Sequence, residues 1–106
     1  MLPSSVRIFV CTTPQDMRRS FDRLALVAKE LGEDPQNGAI FVFPGKRPTR
    51  LKILWWDRNG YCLLYKRLHQ ALFKFPAGNN SLLQIDANSL AQLLAGISVE
   101  KEYKIH

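Results

Sequence analysis

The sequence predicts an α+β fold: a mainly antiparallel sheet with a long N-terminal helix and a short C-terminal helix packed on one face of it. Three observations carry that expectation. Runs rich in β-branched and aromatic residues recur at 6–12, 40–43, 50–56 and 61–68. The last two flank Asn59-Gly60, a dipeptide that favours chain reversal between apolar runs. Met17, Phe21, Leu24, Ala28 and Leu31 follow one another at intervals of four and three, the spacing of one helix face.

Taken in order, 6–12 reads as a strand. A helix is expected over 14–31. Thr13 serves as its cap, Pro14 suits its first position, and Asp16 brings negative charge to its first turn. Arg18, Arg19, Asp22, Arg23, Lys29 and Glu30 fall mainly off the apolar stripe, and Gly32 suits the helix end. A polar loop at 33–38 leads to 40–43, whose few polar residues suggest a central strand. A charged turn at 44–49 precedes the 50–56 and 61–68 hairpin. Residues 72–75 read as a further short strand, with a helix over 66–73 as the alternative, and 76–81 reads as a loop. Asp86 caps a second helix with Leu90, Leu93, Leu94 and Ile97 on its apolar face and Gly96 at its end. The polar tail from Ser98 is expected to fray.

A chain of 106 residues with 46% apolar and 23% charged residues is expected to form a single domain, 1–106, with its core over 5–97. Cys11 and Cys62 are far apart and outside any Cys-x-x-Cys pair, so they read as small buried hydrophobes. No apolar run reaches the length of a membrane span or a signal peptide, which points to the cytoplasm and away from a membrane.

Charge is distributed unevenly. Residues 44–76 hold eight basic side chains and one acid, Asp57. Their balance is +7 against +6 for the whole chain, so the remainder sums to −1. A concentrated field of one sign attracts an anionic partner.

Reactive groups do not converge in the sequence. His69 and His106 are the only histidines, and no Cys/His cluster has zinc spacing. Gly45-Lys46 lacks the preceding glycine and following hydroxyl of a phosphate loop. A metal site built from Asp16, Asp22 and Asp57 is the weaker reading, because helix starts and turns favour aspartate locally. No catalysis, metal or cofactor is expected.

The segment from Asp16 through Ala25, DMRRSFDRLA, resembles a signature of the TnpB accessory proteins, the Orf2-like proteins of insertion sequences of the IS-sixty-six type. The resemblance continues through Phe41-Val42-Phe43, Leu51 to Asp57, Leu63 to Leu68, Phe73 to Pro76 and Leu93 to Ile97, in order over about 5–97. Relatives usually carry glycine at the positions of Arg23 and Arg58, and often an acidic-glycine turn near Gln70-Ala71. The two arginines add positive charge here. The resemblance implies a non-catalytic protein encoded beside a separate transposase and needed for efficient transposition. The unrelated RNA-guided nuclease that shares the TnpB name is far longer.

The hairpin divides the basic aromatic segment between two faces. A two-residue turn at Asn59-Gly60 sets Lys52, Leu54 and Trp56 beside Leu63, Tyr65 and Arg67, leaving Leu51, Ile53, Trp55, Leu64 and Leu68 for the core. A three-residue turn over Arg58-Asn59-Gly60 shifts the pairing by one and blurs both faces. The first is favoured because it yields one clean apolar face. Lys46, Arg47, Arg50, Lys52, Lys66 and Arg67 are then the candidate phosphate contacts for DNA at the element ends. Trp56 and Tyr65 form a candidate partner surface, for the transposase or another accessory protein of the element, if the chain is instead an interaction module.

Overall fold

The computed structural model describes residues 5–99. Its elements run β1 (Ile8–Cys11), α1 (Phe21–Glu30), β2 (Ile40–Pro44), β3 (Arg50–Asp57), β4 (Gly60–Arg67), β5 (Ala71–Leu72), β6 (Leu82–Ile85), α2 (Ala87–Ala95) and β7 (Ile97–Ser98). β1 and β2 are apolar and buried along their whole length, as strands covered on both faces are. They pair in parallel, with Phe9 beside Phe41. Parallel neighbours need a crossover connection, and α1 lies within it. β3 joins β2, β4 joins β3 and β6 joins β1, all antiparallel, giving the order β4-β3-β2-β1-β6.

The expected fold class is therefore corrected in three respects. The main sheet is five-stranded and mixed. Neither helix is long. The helices also lie on opposite faces. Leu24, Ala25 and Ala28 of α1 pack with Phe9, Cys11, Phe41, Phe43 and Leu54. Leu90 and Leu93 of α2 pack with Ile8, Val10, Ile40, Val42, Leu51 and Ile53 on the other side. The reason is the period-two alternation of strands that are apolar at every position, which leaves two faces to cover. Each fully buried Leu or Phe contributes about 1.5–3 kcal/mol.

The helix expected over 14–31 is reduced to the ten residues of α1. The Gln15 N–H donates to the carbonyl of Pro44 at 2.7 Å, and Gln15 bridges Gly45 in parallel, continuing the β1–β2 pairing beyond the strands. The Asp16 carboxylate accepts from the Arg18 N–H at 2.9 Å, the local turn by which aspartate competes with a helix. Thr13 does not cap; its carbonyl accepts from Gln15 Nε2 at 3.0 Å. The helix begins after Ser20, whose side chain makes no capping bond.

β6 was not distinguished in the sequence, because Leu82-Leu83-Gln84-Ile85 is too short to show alternation. It is held beside β1 with Ile85 opposite Ile8. Of the two readings for 66–75, neither describes the outcome: β4 runs on to Arg67, and only Ala71–Leu72 forms a strand, paired with β7. Asp86 caps α2, accepting from the Ser89 N–H at 2.7 Å. Gly96 closes it at φ +73°, where a Cβ would meet Leu68 Cδ1 at 2.7 Å. Ser98 belongs to β7, and the rest of the tail expected to fray lies, from residue 100, outside the described residues.

Both expected hairpin turns are also corrected. Asp57 pairs with Gly60, so Arg58 and Asn59 make the reversal. Arg58 sits at φ +57°. The register differs by two residues from an Asn59-Gly60 turn, and a shift of two preserves which side chains share a face. Lys52, Leu54 and Trp56 thus lie with Tyr65, Leu63 and Tyr61 on the α1 side. Trp55 packs, half-buried, on the α2-side core.

Candidate nucleic-acid interface

The loop between β2 and β3 carries Lys46 and Arg47, both exposed. It is a tight closure: the Gly45 N–H donates to Arg50 O at 2.9 Å and the Arg50 N–H to Arg47 O at 3.2 Å. The Phe73 N–H donates to Pro48 O at 2.7 Å, anchoring the loop from behind. In front lies the segment after β1. A Cβ on Gly45 would stand 2.9 Å from Met17 Cγ and 3.2 Å from Arg50 O, so this close approach depends on glycine. Together with the Gln15 bridge it brings Arg18 to the basic loop.

A cleft of about 460 Å³ results, in which Arg18, Lys46, Arg47 and Arg50 meet around Tyr65 and Met17. Among the described residues Asp16 is its one acid, held by Arg18 at 2.6 Å. The hydrogen bonds from Arg18 hold the Asp16 carboxyl well below the usual carboxylate range, and Lys46 adds to the effect. Asp16 therefore stays ionised and offsets one cation, and three remain. Arg50 Nη1 lies 3.5 Å from the Tyr65 hydroxyl, a long contact. Its Nε is buried with no hydrogen-bond acceptor among the described residues.

The six expected phosphate contacts are not all brought together. Lys46, Arg47 and Arg50 share the cleft. Arg67 is exposed on the edge strand, opposite Arg50 in the ladder. Lys52 is 7% exposed, and its ammonium donates to Arg19 O at 2.7 Å and lies 5.0 Å from the Tyr65 ring centroid. Lys66 points to the opposite face of the sheet, where its ammonium donates to Leu94 O at 2.8 Å. A cation there also suits the negative end of α2. Of the candidate partner surface, Trp56 is half-buried edge-on against Tyr61 at 4.9 Å, and Tyr65 is exposed.

Arg18 was missed as a member of the cleft. Its sequence signal was Asp16 two residues earlier, the spacing of a local aspartate turn, which read equally well as a helix start. Its distance from the basic loop depends on the Gln15–Gly45 bridge, which no local pattern announces.

The fold and cleft define a small sheet protein with a cationic surface. Among the described residues no group of His, Cys, Asp and Glu could hold a metal ion, and no helix is long and apolar enough to cross a membrane. The chain belongs to the family described as IS66 Orf2 like protein, whose model matches residues 6–104. It is similar to the uncharacterized protein y4hO of Sinorhizobium fredii (strain NBRC 101917 / NGR234), 40% identical over 100 residues, which cover 92% of this chain and 87% of that one. It is also similar to the uncharacterized protein y4jC of the same organism, 40% identical over 93 residues, 87% of this chain and 80% of that one. No solved structure matches.

Proposed function

We propose that this chain is a non-catalytic accessory protein of DNA transposition, acting in the cytoplasm and binding duplex DNA at the element ends. Arg18, Lys46, Arg47 and Arg50 contact the phosphates, and Arg67 extends the surface along β4. The observation that carries this reading is the convergence of cations from two distant segments in one cleft that has a single acid among the described residues. Family membership supports the role in transposition. Lys52 and Lys66 act on backbone carbonyls of the fold instead.

Cations that neutralise phosphates release counterions, so the logarithm of affinity falls with that of salt by about 0.9 per phosphate contact. The test is a salt-titrated gel shift on terminal-repeat duplex, with and without the transposase. Binding that weakens steeply with salt, and weakens further in Lys46→Glu/Arg47→Glu, is the expected result. Absence of a shift at low salt, or salt-insensitive binding, counts against it.

A second reading is a bridging module that contacts the transposase without touching DNA. It is favoured by the exposure of Tyr65, with Trp56 on the same face of β3 and β4. A transposase complex that survives charge reversal at Lys46, Arg47 and Arg50 is its expected mark.

A further inference from the structure

β4 is eight residues long and stands at the edge of the main sheet. A two-residue turn closes on a hydrogen-bonded pair, here Asp57 and Gly60. Alternate residues of β4 from Gly60 therefore bond β3, and Tyr61, Leu63, Tyr65 and Arg67 turn their N–H and C=O groups outward. No turn or loop among the described residues bonds these four backbones. Leu64 and Tyr65 on this edge are 41% and 48% exposed. Long apolar edges are templates for pairing, and proteins usually blunt them with lysine or proline. Here the only cations are the last two residues, Lys66 and Arg67, and the Lys66 ammonium is already bound to Leu94 O.

We infer that β4 pairs antiparallel with β4 of a second copy of this chain, about a two-fold axis at Leu64. The strand is complementary to itself in this register. Leu64 meets its counterpart, Leu63 meets Tyr65, Cys62 meets Lys66, and Tyr61 meets Arg67. Each cation thus opposes an uncharged side chain, and Arg67 meets an aromatic ring. All four outward-facing backbones find partners. Parallel pairing would instead set Lys66 and Arg67 beside their own copies. An isologous contact of this kind closes on itself. The two five-stranded sheets become one continuous sheet. Because the axis is perpendicular to the sheet, both Arg50–Tyr65 clefts lie on the same side of it. The inference does not depend on DNA binding.

The test is sedimentation equilibrium of the full chain without DNA, over about 1–200 µM, the range in which a contact of this modest size is expected to dissociate. A monomer–dimer equilibrium is expected, weakened about tenfold or more by Leu64→Lys while the circular dichroism spectrum is retained. Leu64→Cys in a Cys62→Ser background provides a second measurement. Opposed non-hydrogen-bonded residues have Cα atoms about 4.5 Å apart, within reach of a disulfide, so mild oxidation should cross-link two copies. A monomer throughout the range overturns the inference, as does a dimer indifferent to Leu64→Lys or an uncross-linked Leu64→Cys. A chain that is monomeric alone but captured by a strand of the transposase overturns it too. Since no DNA is present, none of these outcomes bears on the cleft.

Discussion

The Lys52 ammonium donates to the carbonyl of Arg19 at 2.7 Å, tying the middle of β3 to the residue before the α1 cap. This bond holds the 15–20 segment against the sheet and so helps to build the cleft. Lys52→Met keeps the apolar stem and leaves the carbonyl without its donor. A destabilisation of about 1–3 kcal/mol is expected in urea unfolding. DNA affinity per folded molecule should change much less than in Lys46→Glu/Arg47→Glu.

Asp16 is the only acid of the cleft among the described residues, and asparagine can keep its bond from the Arg18 N–H. Asp16→Asn therefore removes a negative charge with little change of backbone. A few-fold tighter binding to duplex DNA at low salt is expected, with the gain fading as salt screens the cleft. Weaker binding in a gel shift would mean that Asp16 acts by holding Arg18 in place.

Arg58 adopts φ +57° at the first position of the β3–β4 turn. A side chain in that conformation costs about 1–2 kcal/mol, and glycine relieves it while losing part of the gain to unfolded-chain entropy. Arg58→Gly is expected to raise stability by up to about 1 kcal/mol, read as a higher denaturant midpoint at unchanged slope.

The Asp86 carboxyl is held below its ordinary value of 3.8, chiefly by the bond from the Ser89 N–H at the start of α2. A depressed folded-state value means that ionised Asp86 stabilises the fold above about pH 4. That contribution fades as pH falls through the folded-state value. Asp86→Asn keeps a capping oxygen but cannot titrate. The gap in melting temperature between wild type and Asp86→Asn is therefore expected to narrow progressively below pH 4.

Much of the sheet was legible because its signals are local. The apolar runs of β1 and β2, the alternation in β3 and β4, and the Asp86 cap with Gly96 at the end of α2 each occupy a few adjacent residues. The division of the hairpin into faces survived a misread turn because a two-residue shift leaves parity intact. The 14–31 helix was misread for the opposite reason. Its apolar spacing persists in α1, but the Gln15–Pro44 and Lys52–Arg19 bonds tie the residues before it to the sheet, and Thr13 caps nothing.

The cationic field over 44–76 and the family were set by the sequence alone, since charge and ordered motifs are properties of the chain itself. Which cations are free was decided only by tertiary structure. Lys52 and Lys66 look no different from Lys46 in the sequence, yet each reaches a carbonyl on a distant segment and is held there. Arg18 joins the cleft because the chain after β1 is drawn along β2 to Gly45. A charge is countable residue by residue, whereas its availability depends on what the fold places within about 3 Å of it.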